Sequence, residues 1–258
     1  MSSASPPPAR APALQQWETV FVEHVFPTPP SPHFKGIEQH CVRLPKKGEP
    51  GATTTVDDWM YHVPDRFVNV LPVDAAGRFL LFRQTKYATT REFGTPTLAT
   101  VGGQIDAGES PSACAARELK EETGFVAREM LALGSYVLNA NRGCGVGYLF
   151  VALDAAHPTL SGSAAAAALD GGDDLEEMHA VWLSRDELDD ALLANEFKCG
   201  TWALTCLLAL KRLDCRARSP DAVHAGGTPP RHRRRDRWRN RKVRPQDNST
   251  VVATSTSR

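Results

Sequence analysis

Three glutamates in one short segment carry the strongest chemical signal in this sequence. Glu118, Glu121 and Glu122 are spaced so that, at 100° per helical residue, they lie within about 100° of arc on one helix face. Neighbouring carboxylates on an exposed helix repel one another by roughly a few tenths of a kcal/mol per pair. A hard divalent cation offsets this repulsion, and Mg²⁺ binds carboxylate oxygens while keeping water ligands for substrate phosphates. The spacing alone therefore leaves two interpretations open: a magnesium site, or an ordinary solvated helix face.

A helix must present these carboxylates, and the surrounding residues define its ends. Ser110 is a favourable N-cap, Pro111 suits the first helical position, and Gly124 is a typical C-terminal stop. We therefore predict a helix that starts at Ser110 and stops at Gly124. The side chains expected on its opposite side, which can pack on a sheet, are Ser112, Ala116, Leu119 and Thr123.

The stretch from Gly103 to Phe125 resembles the Nudix box, G-x5-E-x7-R-E-U-x-E-E-x-G-U, in which U is an aliphatic residue. It matches at every fixed position, and Phe125 stands where an aliphatic residue is usual. Seven fixed residues at roughly 7% abundance each would coincide by chance on the order of once in 10⁸ placements. The resemblance favours the magnesium site. It implies an α+β fold, a Nudix-type α/β/α sandwich around a mixed β-sheet.

The resemblance assigns a role to each matching position. It implies that Glu118 and Glu122 are metal ligands and that the carbonyl of Gly102 is a further ligand. Glu121 is either a third ligand with a catalytic part or the carboxylate that Arg117 orients. The positions implied to be structural are Gly103, Glu109, Arg117 and Gly124. The implied cofactor is Mg²⁺, for which Mn²⁺ can substitute.

Features that flank the box resemble the ADP-ribose and ADP-sugar pyrophosphatase branch of the family. Arg83 ends the strand before the box, where it is either a phosphate contact or a solvated strand-end charge. Glu176 and Glu177 lie in an acidic segment, and the general base is expected at one of them. Trp59 can stack on a nucleobase or serve the core. The implied reaction cleaves the diphosphate of ADP-ribose or an ADP-sugar into AMP and a sugar phosphate.

The sequence is also compatible with other functions within this family. The ADP-ribose branch commonly has a proline some fifteen residues past the box, whereas residues 139–143 contain none. The alternatives are an RNA-cap or dinucleoside polyphosphate hydrolase, and a Nudix-fold binding module without catalysis. The intact box glutamates argue against the last alternative. The resemblance further implies a homodimer built partly by the N-terminal strands.

Composition divides the chain into three parts. Residues 1–16 are rich in proline and are predicted to be disordered. Residues 17–215 form the predicted Nudix hydrolase domain, with N-terminal strands at 17–63 and a core at 64–215. Residues 216–258 form a predicted disordered tail with 12 Lys or Arg against 3 Asp or Glu, whereas the preceding 215 residues carry a net charge of −9. A nucleic acid partner is expected only through this tail, and a solvated extension is the alternative.

The rest of the composition excludes several classes of protein. The longest apolar run, Trp202 to Leu210, has nine residues and is too short to cross a bilayer, so no membrane partner is expected. The six cysteines are scattered and the N-terminus lacks an apolar signal region, which predicts reduced thiols. We therefore expect a cytoplasmic protein, with nuclear import through the basic tail as the alternative.

Local patterns predict the elements around the box. Strands are predicted at residues 19–26, 36–44, 56–63, 67–73, 78–84, 98–102, 134–138, 146–153 and 180–183. Further helices are predicted at 185–194 and 200–212. The turn residues 74–77 make 67–73 and 78–84 a predicted hairpin, and 157–174 a predicted loop insertion.

Overall fold

The structure, a computed structural model, is described for most of the central part of the chain. The described residues are 18–25, 36–46, 49, 51–63, 65–160, 169 and 178–218. The predicted disordered segment at 1–16, the acidic pair Glu176 and Glu177, and the tail beyond residue 218 lie outside them. Within the described residues, no helix is long and apolar enough to cross a membrane.

Strands make up most of the described chain. They are β1 (Glu18–His24), β2 (Ile37–Pro45), β3 (Thr53–His62), β4 (Arg66–Val73), β5 (Phe79–Gln84), β6 (Thr97–Ala99), β7 (Glu129–Asn139), β8 (Gly143–Leu153) and β9 (Met178–Leu183). The helices of the described residues are α1 (Tyr87–Phe93), α2 (Pro111–Thr123), α3 (Arg185–Leu193) and α4 (Gly200–Arg218).

The described strands form one mixed sheet. Its order is β1-β2-β3-β8-β4-β5-β6, with β7 paired to β8 and β9 paired to β5. Strands β4 and β8 are parallel over the register Arg66↔Val146 to Val73↔Leu153. The pairs β1–β2, β2–β3, β5–β9 and β7–β8 are antiparallel. The predicted mixed sheet is confirmed.

Helices cover both faces of this sheet because strand side chains point alternately to the two sides. In β5, Leu80 and Phe82 join a buried cluster with residues of α2, whereas Phe79 and Leu81 join a cluster with residues of α3 and α4. The α2-side cluster also contains Leu169, which is 4% exposed. The arrangement is the expected α/β/α sandwich, and α2 is held against the sheet by apolar contacts.

Strands β4 and β5 separate beyond a single residue pair, and the gap between them is called the split. These strands are joined by the predicted turn, in which Asp74 Oδ1 accepts hydrogen bonds from the backbone of Ala76 (2.9 Å) and Arg78 (2.8 Å). They pair only at Val73↔Phe79. The predicted hairpin is therefore correct in its connection and wrong in its pairing, because β6 lies along β5 and the chain then returns along β4. Bridges Val70↔Val101 and Phe67↔Gln104 fix this return, which places the two glycines of residues 102–103 in the split.

One helix was not predicted, several strands differ from their predicted bounds by two or three residues, and the largest differences are in β7 and α4. Helix α1 was not predicted, and the reason is visible in its sequence, since none of its residues is buried and no apolar period marks it. Strand β7 begins at Glu129, five residues before the predicted start. Helix α4 continues to Arg218, where Arg216 donates to both carboxylate oxygens of Glu129 at 3.1 and 2.8 Å. The predicted domain boundary at residue 215 therefore falls inside a helix.

Candidate active site

The helix that carries the glutamates has the predicted ends. Ser110 Oγ accepts a hydrogen bond from the backbone of Ala113 at 3.2 Å, and Pro111 occupies the first turn. Gly124 ends the helix at φ 70°, a left-handed conformation that glycine adopts without a steric penalty, and donates its N–H to the carbonyl of Lys120. The prediction of a helix between Ser110 and Gly124 is confirmed.

The face that α2 turns to the sheet is not the one that the sequence predicted. Leu119 and Thr123 are buried as expected, but Ser112 and Ala116 are exposed. The other buried residues of α2 are Cys114, Ala115 and Glu118. The buried stripe is rotated toward the glutamates because the small side chains of residues 114 and 115 pack together with Leu119 in the α2-side cluster. Glu118 is thereby carried inward, whereas Glu121 remains exposed.

Two consecutive glycines, Gly102 and Gly103, leave space for the glutamate side chains. A Cβ on Gly103 would lie only 2.3 Å from Glu118 Oε1 and 2.5 Å from Oε2, so the carboxylate occupies the space that any side chain would need. A Cβ on Gly102 would lie 2.1 Å from the carbonyl oxygen of Val68. The N–H of Gly102 also donates to Glu122 Oε2 at 3.4 Å. Glu118 and Glu122, four residues apart, therefore both face the Gly102–Gly103 loop.

Arg117 donates hydrogen bonds to three carboxylates of the segment, those of Glu109, Glu118 and Glu121. Its Nε and Nη2 donate to the two oxygens of Glu109 at 3.1 and 3.0 Å. Its Nη1 donates to Glu118 Oε1 at 2.7 Å and to Glu121 Oε2 at 2.9 Å, and Nη2 donates to the carbonyl of Gln104 at 3.0 Å. The contact with Arg117 is the one expected if Arg117 orients Glu121, and the role of Glu121 as a third ligand stays a prediction.

The acidic groups of this cluster differ in how readily they ionise. Burial raises the pKa of Glu118 above its ordinary value, and the neighbouring Arg117 only partly opposes that effect. The hydrogen bonds from Arg117 lower the pKa of Glu109 to about 2, which keeps this carboxylate ionised at neutral pH. Burial raises the pKa of the Cys114 thiol to about 12, so Cys114 is a neutral packing residue there. The carboxylate of Glu118 is the group that gains most from a nearby cation.

The donors around the loop suit a hard cation. Glu118 and Glu122 offer carboxylate oxygens, and Gly102 offers a backbone carbonyl, which are the ligand types that Mg²⁺ accepts. Within the described residues, no group of three or more His, Cys, Asp or Glu side chains stands ready to hold a metal ion. Because Arg117 contacts Glu118 and Glu121 in this structure, the glutamates are partly neutralised by it. The chemistry of the donor set and the desolvated carboxylate nevertheless fit a divalent ion.

Two predicted substrate residues lie at other places on the sheet. Arg83 extends from β5 on the side of α3 and α4, where its Nη2 lies 2.6 Å from Glu196 Oε2. Trp59 lies on β3, and its Nε1 donates to the carbonyl of Asn141 at 2.8 Å. Neither contact tests substrate binding, so both roles stay predictions. Glu176 and Glu177 lie outside the described residues, directly before Met178, the first residue of β9.

The structure also adds residues that the sequence did not single out. His157 lies against the C-terminal end of α2. A Cβ placed on Gly124 would be only 2.9 Å from His157 Cδ2. Asn69 and Thr100 are buried beside the split, each with a polar atom that lacks a partner. Asn69 is a polar residue between two valines of an apolar strand, a signal that could have found it. No comparable signal marks His157.

Comparison with known proteins places this geometry in a wider context. The family model of the NUDIX domain matches residues 63–200. The NAD-capped RNA hydrolases NudC of Mycobacterium tuberculosis (strain H37Rv) and Mycobacterium bovis (strain BCG / Pasteur 1173P2) are each 34% identical to this chain over 133 residues. That match covers 52% of this chain and 37% of each relative, so the alignment spans little more than a third of their length.

A solved structure described as the crystal structure of an ADP compounds hydrolase is also similar. It superposes with a TM-score of 0.59 at 22% sequence identity, and the match covers 80% of this chain and 98% of that chain. At this identity the likeness concerns the fold. It supports the architecture derived above from the sheet order and the two buried clusters.

Proposed function

The chain belongs to the NUDIX family, and from this premise we propose that it is a magnesium-dependent hydrolase of the diphosphate linkage in an ADP derivative. The observation that carries the proposal is the approach of Glu118 and Glu122 to the Gly102–Gly103 loop. A buried carboxylate, a second carboxylate and a backbone carbonyl at one loop suit a cation that binds phosphate oxygens. A bound Mg²⁺ would neutralise charge on the diphosphate and acidify a water molecule.

The protein's own residues hold and prepare this site. Glu118, Glu122 and the carbonyl of Gly102 would hold the ion. Arg117 fixes Glu109 and Glu121, so the helix presents its carboxylates in one orientation. In the reaction, the water oxygen bonds to one phosphorus, the bridging P–O bond breaks, and its electron pair leaves with the other phosphate. The water proton passes to a carboxylate, which we propose to be Glu176 or Glu177.

The substrate class is proposed from the flanking residues. ADP-ribose or an ADP-sugar, cleaved to AMP and a sugar phosphate, agrees with Arg83 as a phosphate contact. For this role Arg83 would have to leave Glu196, and an exposed pair of this kind contributes only about 0–1 kcal/mol. A second candidate, the diphosphate of NAD or of NAD-capped RNA, is supported by the 34% identity to the NAD-capped RNA hydrolases. Both candidates contain an ADP half.

One panel of substrates tests the proposal. The purified protein is incubated with ADP-ribose, NAD⁺, diadenosine polyphosphates and NAD-capped RNA, with Mg²⁺, with Mn²⁺ or with EDTA, and the products are identified by mass spectrometry. We expect metal-dependent release of AMP or of a 5′-monophosphorylated RNA. The matched control is Glu122→Gln, which keeps the side-chain shape and excludes a contaminating hydrolase. A folded wild-type protein that cleaves none of these substrates with either metal would reject hydrolysis in favour of a binding module.

A further inference from the structure

Two buried polar side chains with unpartnered atoms, Asn69 and Thr100, lie beside the split in the sheet. In the described part of the chain the side-chain atoms of this kind are Asp65 Oδ1, Asn69 Nδ2, Gln84 Oε1 and Thr100 Oγ1. A buried group that has lost its water and gained no partner destabilises the fold, so natural proteins contain few of them. Asn69 and Thr100 are 3% and 5% exposed, which makes their lack of a partner the more costly. Such atoms commonly serve an ordered water or a ligand.

Asn69 and Thr100 are neighbours on one face. The bridges Val70↔Val101 and Phe67↔Gln104 set a register in which Asn69 lies opposite Gly102 and Thr100 opposite Leu71. Residues in diagonal positions on adjacent antiparallel segments share a face and come within reach of each other. A Cβ on Gly102 would lie 3.1 Å from Asn69 Oδ1, so the amide of Asn69 lies against the glycine whose carbonyl is the proposed ligand. Val68, Val70 and Val101 belong to the α2-side cluster, so Asn69 and Thr100 point to the face that α3 and α4 cover. The pair therefore meets the proposed metal site through Gly102, from the face of the sheet opposite α2.

We propose that Asn69 and Thr100 form a hydrogen-bonding subsite for the nucleoside half of the substrate. In it, Asn69 Nδ2 donates to an acceptor of the base edge or the ribose, and the Thr100 hydroxyl donates to or accepts from the adjacent group. Both side chains are uncharged and buried, which suits a neutral nucleoside better than a phosphate, whose charge would be costly to bury there. The inference rests on the proposed function for the identity of the ligand as a nucleotide.

The test exploits the opposite effects that a binding role and a structural role predict. Asn69→Leu and Thr100→Val keep the branching and the number of side-chain heavy atoms and remove the unpaired atoms. Replacing an unpaired buried polar group by an apolar one of the same shape is neutral or stabilising, so we expect the melting temperature to stay or to rise by about 2–4 °C. We expect kcat/KM for the best substrate of the panel to fall about tenfold or more, mainly through KM.

A binding measurement keeps this inference separate from the proposed reaction. ADP and GDP are titrated by calorimetry into the metal-free wild-type protein and both variants, and we expect each variant to bind ADP about tenfold more weakly. Loss of the preference between ADP and GDP would assign the contact to the base, and equal weakening of both would assign it to the ribose. Thr205→Val is the matched control, because this buried hydroxyl already donates to the carbonyl of Thr201 at 2.7 Å. We expect it to leave ADP binding unchanged.

Each outcome decides between the alternatives. A wild-type protein that binds ADP but hydrolyses nothing rejects the proposed reaction and leaves the subsite standing. No binding of ADP by the wild type, or unchanged ADP affinity in both variants, overturns the subsite and assigns the atoms to a structural water. If Asn69→Leu does not fold, Thr100→Val carries the test, because removing one hydroxyl changes the packing least.

Discussion

The contact between Gly103 and Glu118 allows a sharp test of the proposed metal site. In Gly103→Ala the new Cβ would stand 2.3 Å from Oε1, whereas an ordinary carbon–oxygen contact is about 3.3 Å, so the carboxylate must retreat by about 1 Å. Gly103 lies outside the left-handed region, so alanine meets no backbone strain. A displacement of about 1 Å in a catalytic arrangement can cost about a hundredfold in rate. We therefore expect about a hundredfold loss of kcat/KM.

The same variant should leave the fold almost intact, because the carboxylate is the movable end of a side chain. The assay combines Mg²⁺-dependent hydrolysis of the best substrate, Mn²⁺ binding by electron paramagnetic resonance, and thermal unfolding. Gly200→Ala is the matched control, since a Cβ at this helical position meets no atom within 4 Å. Turnover within threefold of wild type in Gly103→Ala, with Mn²⁺ affinity unchanged, would refute the inference that Glu118 binds the ion at this loop.

Three further predictions address the base, the second ligand and the domain boundary. Glu122→Gln should lower turnover at least about a hundredfold at an unchanged melting temperature, and near-normal turnover at saturating Mg²⁺ would remove it from the metal site. One of Glu176→Gln and Glu177→Gln should lower turnover by roughly 10² to 10⁴ with Mg²⁺ affinity unchanged, and wild-type turnover in the double variant would place the base elsewhere. A chain ended after Arg218 should keep hydrolysis within about twofold. A chain ended after Cys215 loses the ion pair to β7 and should be less stable by up to about 1 kcal/mol in urea, whereas equal stability would show that the pair contributes nothing.

The elements with strong local signals could be predicted from the sequence. The ends of α2 follow from Ser110, Pro111 and Gly124, whose effects act within one helical turn. The buried side of α2 did not follow, because three-dimensional packing turned Cys114 and Glu118 inward. Apolar periodicity cannot anticipate a buried carboxylate, since a charged residue counts as a surface residue in such patterns.

The candidate site shows the same limit of local patterns. The sequence predicted that the box glutamates would gather, and Glu118 and Glu122 do meet the glycine loop. It could not predict that Arg83 would contact Glu196, because the two residues are 113 positions apart and only the sheet brings them together. The split between β4 and β5 was also hidden, since a turn signal specifies a connection and says nothing of which strands pair beyond it.

Leu169 shows that this fold depends on a residue outside its regular elements. It is buried in the α2-side cluster, although it belongs to none of the described helices or strands. Full burial of a leucine side chain contributes roughly 1.5–3 kcal/mol. A polar residue at position 169 should therefore weaken the packing of α2 on the sheet, and with it the position of Glu118, without touching the box itself.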